Sequence, residues 1–152
     1  GRAMKFTGSI EINQPLQVVA DLFADPDNLS KYQDGFVKRD LVSGTAGEDG
    51  AVSKLYYMNR GREMELTETI MANRLPNSFE AHYHHKHMDN TLKTTFTALS
   101  ESRTRYETEG EYLAFRGLVA RLMARLFPGV FKKQAQRWLD NFKTFAEGNH
   151  VD

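Results

Sequence analysis

The chain carries far more strand pattern than helix to cover it. Between Phe36 and Ala114 it divides into runs 36–43, 51–59, 63–72, 79–87, 91–99 and 103–114. Turn residues separate them at Gly44 to Gly50, Asn59-Arg60-Gly61, Pro76-Asn77, Asp89-Asn90 and Ser100 to Ser102. Upstream, Phe6, Gly8, Ile10 and Ile12 alternate with Lys5, Thr7, Ser9 and Glu11, the period-two signature of a half-buried strand. Short turns between consecutive strands make an antiparallel meander. Only one long helix follows: Phe131, Ala135, Trp138, Phe142 and Phe145 step by four, three, four and three along one face. A helix is about 10–12 Å across, narrower than seven strands side by side. The sheet must therefore curl round it, and such a curl is expected to leave a hollow between sheet and helix.

Two short helices interrupt the pattern after the first strand. Pro15 opens one with Leu16, Val19, Leu22 and Phe23 on one side, and Asp25-Pro26-Asp27 stops it. Pro26 suits the first turn of a second, running through Lys31-Tyr32 and closing near Gly35. Pro128 fits the first turn of the long helix, which leaves 117–127 as a separate shorter one. The expected fold class is α+β: a curved seven-stranded antiparallel sheet around a long C-terminal helix, with two short helices after strand 1.

Chain length and charge bound the function. The 152 residues amount to one domain, expected over 4–147, with 148–152 as a tail. Twenty Lys and Arg balance twenty Asp and Glu, which argues against nucleic acid as a partner. The absence of cysteine excludes disulfides, Cys-ligated metals and a thiol nucleophile. Gly1-Arg2-Ala3 reads as a cloning remnant before a native Met4. No secretory pattern follows Met4 and no run of about 18 apolar residues occurs, so a cytoplasmic protein is expected. No phosphate-binding glycine loop or Gly-x-Ser-x-Gly elbow is present, and no cofactor is expected.

The order of elements resembles the START/Bet v 1-like (SRPBCC) superfamily and its helix-grip fold, within it the polyketide cyclase/dehydrase and lipid-transport branch. The resemblance rests on the opening strand into Pro15, the helix Val18 to Asp25, and Pro26-Asp27-Asn28 leading to Tyr32. Gly47, Gly50, the run Met64 to Ile70 and the helix ending Leu139 to Glu147 complete it, so it spans Met4 to Glu147. Many members carry Trp where Tyr32 stands. The resemblance implies a deep apolar pocket for a lipid, polyketide, quinone or similar molecule. Some members are cyclases and others carriers.

Several residues could serve such a pocket. Glu68 shares strand parity with Met64, Leu66 and Ile70, which puts a carboxylate on the concave face. Desolvation there would make it a general acid or base, unless it pairs with an Arg or His. The run His82-Tyr83-His84-His85-Lys86-His87 follows the apolar parity of Phe79 and Ala81, so His85 and His87 should point inward and His82 and His84 outward. A His-x-His pair can chelate a metal, but neither pair has an evident third ligand, and no metal site is expected. Ligand contacts are expected from Tyr57, Leu66, Glu68, Tyr83, His85, Phe96, Tyr106, Tyr112, Phe131, Gln134 and Trp138. The leading expectation is a binder or carrier of a small, mostly apolar molecule. The alternative is a cyclase or dehydratase in which Glu68 or His85 moves protons, and a third is a protein-contact module.

Charge is concentrated near the C-terminus. From Leu113 to Ala146 there are seven cations against one acid, Asp140. Arg116, Arg121 and Arg125 alternate with Leu118, Val119, Leu122, Met123, Leu126 and Phe127 as a short basic amphipathic helix. It would make transient contact with an anionic membrane surface, or else be a solvated face balanced by Glu107, Glu109 and Glu111. Nothing in the pattern fixes an oligomeric state.

Overall fold

The computed structural model describes residues 4–148. Residues 1–3, which the expected cloning remnant covers, and residues 149–152 of the expected tail 148–152 lie outside the described residues. Strand β1 (Met4–Ile12) leads through helix α1 (Leu16–Ala24), a 3-10 turn at Pro26–Asn28 and helix α2 (Leu29–Tyr32) into the meander. The meander comprises β2 (Phe36–Ser43), β3 (Val52–Asn59), β4 (Arg62–Arg74), β5 (Ser78–His84), β6 (Met88–Ser100) and β7 (Arg103–Phe115). Helices α3 (Leu118–Leu126) and α4 (Gly129–Gly148) follow. The seven strands form one antiparallel sheet in the order β1-β7-β6-β5-β4-β3-β2, so β1 closes against the last strand of the meander.

The inward parity of β1 is the expected one. Phe6, Gly8, Ile10 and Ile12 lie opposite Gly110, Thr108, Tyr106 and Thr104 of β7. Two glycines let bulky groups lie flat on this pair of strands. A Cβ at Gly110 would stand 1.9 Å from Cζ of the Phe6 ring, which covers it. A Cβ at Gly8 would stand 2.8 Å from Leu139 Cδ1, so α4 descends onto β1 there. Gly110 thus makes room for a ring from the neighbouring strand rather than for the helix. Helix α4 packs chiefly along β1 and against α2, with Ala135, Leu139, Phe142 and Ala146 buried.

One end of the curl is filled with aromatic rings. Phe23 of α1 meets Phe79, Phe96, Tyr106 and Phe142 edge-on, with centroids 5.3–6.2 Å apart. Tyr32 stacks on Phe145 and stands edge-on to Phe142. Such offset and T-shaped pairs add about 0.5–1.5 kcal/mol each beyond the area they bury.

The β5–β6 hairpin departs from the expected boundaries. The strand was expected to reach residue 87 but ends at His84, and Asp89 and Asn90 lie inside β6 instead of forming the turn. The hairpin closes between His85 and Met88, whose backbone groups exchange bonds of 2.8 and 3.2 Å. The cause is distant in sequence. Arg116 donates its backbone N–H to the His87 carbonyl at 2.7 Å and its Nε to the Lys86 carbonyl at 3.1 Å. Its Nη2 reaches both the His85 carbonyl and Asp89 Oδ1. One guanidinium thus satisfies carbonyls that a continuing strand would have had to pair.

Two tests follow from these contacts. Gly110→Ala should displace the Phe6 ring and cost about 1–3 kcal/mol in urea unfolding, with much of the loss recovered in the Gly110→Ala/Phe6→Leu double variant. The Arg116 hydrogen bond holds the Asp89 carboxyl below the ordinary carboxylate range, against an opposing effect of burial and with help from His84. The folded chain therefore binds fewer protons at this group than the unfolded chain does. The stability from this pair should be complete above about pH 4 and lost as pH falls through the depressed value. Thermal unfolding between pH 5 and pH 2.5 should show a smaller acid loss in Asp89→Asn than in the parent chain.

Candidate functional site

Four strands and one turn bring a polar group into the concave face. The register sets Ser53 of β3 opposite Glu68 of β4, Glu68 opposite Tyr83 of β5, and Arg39 of β2 opposite Leu55 of β3. Glu68 is inside, as its parity implies, with a side chain only 5 % exposed. Arg39 Nη2 donates to its Oε1 at 2.5 Å, and the Tyr83 hydroxyl donates to its Oε2 at 2.8 Å. Nearby, the Tyr57 hydroxyl donates to Gln33 Oε1 at 2.7 Å. Both oxygens of the carboxylate are therefore occupied, one by a cation and one by a phenol. Burial holds the Tyr83 hydroxyl protonated far above the ordinary phenol range, and the negative charge of Glu68 adds to this. Burial and then Glu68 act on Tyr57 in the same direction, with Arg39 opposing.

The chemistry of this group is that of a fixed hydrogen-bonding patch in an apolar wall. Leu55 and Leu66 face each other across β3 and β4 beside it. An ion pair this well enclosed is stable only while both members remain, because removing one strands the other charge. Glu68 is thus the paired carboxylate that sequence parity allowed for.

The other expected contact residues fall into separate places. Phe96 and Tyr106 stand in the aromatic end of the core, and burial pushes the Tyr106 hydroxyl up to about 12. Tyr112 and Phe131 form a second aromatic group with Phe115, their centroids 4.7–5.7 Å apart, where the start of α4 meets the end of β7. Burial raises the Tyr112 hydroxyl to about 12. Gln134 is exposed on α4. Trp138 belongs to the inward stripe of that helix yet is 40 % exposed. Tyr57, Leu66 and Tyr83 are half-buried on the concave face.

His85 does not follow strand parity, because the strand has ended. It sits in the hairpin turn, where its Nδ1 accepts the His87 backbone N–H at 3.1 Å. Burial first, then the charges of His87, Lys86 and Arg116, keep its ring below the ordinary histidine value and so neutral near pH 7. On the outer face, His84 Nδ1 lies 2.7 Å from Asp89 Oδ1 and His82 Nε2 lies 4.0 Å from Asp89 Oδ2. That carboxylate is already held by Arg116. No group of three or more potential ligands among the described residues could hold a metal ion.

Arg39, Gln33 and Asp89 are the hydrogen-bond partners that sequence reasoning missed. Asp89 could have been found, since it faces His84 once the hairpin is correctly placed. Arg39 gave little signal, because the β2 register is broken by irregularities between Phe36 and Lys38 and between Leu41 and Ser43.

Two clefts flank α4. One of about 420 Å³ lies between the α2–β2 turn and the second half of α4, with Gln33, Asp34, Asn141 and Phe145 in its walls. The other, of about 360 Å³, lies between the start of β1 and the start of α4 and includes Phe6, Phe131 and Lys132.

The same architecture recurs in solved structures of low sequence identity. The Zhui aromatase/cyclase from Streptomyces sp. R1128 superposes with a TM-score of 0.77 at 11 % identity, covering 96 % of this chain and 94 % of that one. A START superfamily protein from Mycobacterium smegmatis gives 0.70 at 10 % identity over 95 % and 94 %. The ginseng major latex-like protein 151 from Panax ginseng gives 0.71 at 15 % identity over the whole of both chains. At these identities the likeness is one of fold, the helix-grip of the START/Bet v 1 superfamily. No curated protein is a significant sequence match to the chain. The sequence model for polyketide cyclase/dehydrase and lipid transport matches residues 3–147, nearly every residue that builds the sheet and its helix, and the chain belongs to that family.

Proposed function

We propose that the chain binds a small, mostly apolar molecule between the concave face of the sheet and α4, at the end away from the aromatic core. The observation that carries this reading is Trp138. It stands on α4 one residue before the buried Leu139 and three after the buried Ala135, yet keeps 40 % of its surface exposed. On the sheet, Tyr57, Leu66 and Tyr83 share the concave parity and stay half-buried. Because α4 packs chiefly along β1, little of it reaches the β3–β5 part of the concave wall, whose Leu55, Glu68 and Ile70 are buried. Apolar wall would supply most of the affinity, at about 25 cal/mol per Å² buried before association costs. The Arg39–Glu68–Tyr83 group and Tyr57 would fix orientation through a ligand carbonyl or hydroxyl.

Binding is favoured over proton transfer by the state of Glu68. A general base needs a lone pair that substrate can reach, and Glu68 is 4 % exposed with one bond already accepted on each oxygen, from Arg39 and from Tyr83.

The apolar fluorophore 1-anilinonaphthalene-8-sulfonate should bind the native chain at one site, and native mass spectrometry should detect a co-purified small molecule. Leu66→Lys should abolish fluorophore binding with circular dichroism unchanged. Absence of both a bound mass and a saturable fluorophore site would overturn the reading. Tyr83→Phe should weaken binding about two- to tenfold, the worth of one ordinary hydrogen bond. Glu68→Ala should instead act on stability, costing about 2–3 kcal/mol in urea unfolding by leaving Arg39 unpaired in a largely buried position.

A further inference from the structure

Helix α3 is mounted with its apolar side outward. Its half-buried residues are Ala120 and Ala124, whereas Leu118, Val119, Leu122, Met123 and Leu126 are exposed, Leu118 by 80 % and Val119 by 76 %. At about 100° per residue these five side chains share one arc, the alanines lie on the opposite side, and Arg121 and Arg125 flank the arc. No residue of α3 is buried. The apolar arc continues into exposed Phe127 and Val130. An amphipathic helix ordinarily turns this arc to the core, and an exposed patch of this kind marks an interaction surface.

The orientation is anchored. Gly117 turns the chain at φ +88°, a conformation that suits glycine, and Arg121 Nε donates to the Phe115 carbonyl at 3.3 Å. Arg116, just ahead of the helix, is tied to the β5–β6 turn. Rolling the leucines onto the body would break the Arg121 contact and expose the alanines in their place.

Charge selects the occupant. Between Tyr112 and Leu139 there are six cations and no acid. Arg116 pairs with Asp89 and Arg137 with Asp34. Arg121, Arg125, Lys132 and Lys133 have no ion-pair partner among the described residues. Glu107, Glu109 and Glu111 do not balance them. A second copy meeting this face about a two-fold axis would set arginine against arginine with no carboxylate in reply. An anionic bilayer offers apolar depth for the leucines and phosphate charge for the flanking cations.

We infer that α3, with Phe127, Val130 and the adjoining lysines, docks the chain on an anionic lipid surface. No helix among the described residues is long and apolar enough to cross a membrane, so the contact is interfacial. The inference rests on α3 alone and stands whether or not the concave face binds a ligand.

Co-sedimentation of the full chain with phosphatidylglycerol/phosphatidylcholine vesicles and with pure phosphatidylcholine vesicles tests it. Anionic vesicles should retain the chain, neutral ones should retain much less, and raised salt should release it. Arg121→Gln/Arg125→Gln should weaken retention about fivefold for each arginine. Leu118→Ser/Leu122→Ser should abolish it with unchanged circular dichroism, since both residues are solvent-facing. Equal recovery in the supernatant with both vesicle types would overturn the proposal. So would retention unaffected by either double variant, or a dimer that Leu122→Ser dissolves.

Discussion

The seat of α4 on β1 decides most of what this molecule can do. Gly8 has no side chain, and Leu139 fills the space that one would take. That close approach fixes the long helix α4 at one side of a seven-stranded sheet. The remaining curl must be satisfied by other means, because an open apolar face in water is unfavourable in proportion to its area. Two different solutions are visible along the concave wall. At the α1 end, aromatic rings from α1, α2, β5, β6, β7 and α4 interlock and bury one another. Toward β3 and β4, the wall carries a paired carboxylate and phenols instead, and coverage by helix is slight.

The polar group explains itself once its partners are known. A lone carboxylate at Glu68 would carry a large desolvation penalty. Arg39 and Tyr83 remove that penalty, and they also fix the carboxylate in one orientation. Replacing all three with leucine-like residues could be as stable, since buried ion pairs seldom beat good apolar packing. Their presence in the wall is therefore not accounted for by stability alone. The same reasoning does not extend to Phe96 and Tyr106, which packing alone explains.

Much of the fold was legible because strand parity is rigid. Phe6, Gly8, Ile10 and Ile12 on β1, and Leu66 and Glu68 on β4, face as their spacing dictates. The errors arose where a distant residue set the geometry. Asp89-Asn90 reads as a turn locally, yet Arg116 captures the three carbonyls before it and moves the turn to Lys86-His87. The inward assignment of His85 failed with that boundary. Arg39 reaches Glu68 through a strand whose register is interrupted twice, and no periodicity survives such interruptions. The amphipathic pattern of α3 was plain in the sequence, but a helical wheel has no outside until the protein supplies one.

That last point bears on how the two halves of the molecule relate. The β5–β6 turn and the start of α3 are joined by Arg116, and β5 also carries Tyr83, which holds Glu68. The surface that α3 presents to solvent is therefore rigidly linked to the strand that builds the polar part of the concave wall. The link runs through backbone carbonyls, which do not depend on the identity of the histidines that bear them. Its electrostatic half depends on one carboxylate, Asp89, shared among Arg116, His84 and, more distantly, His82. The start of α3 is thus tied, through Arg116 and Asp89, to the outer face of the sheet, on the side opposite the concave wall.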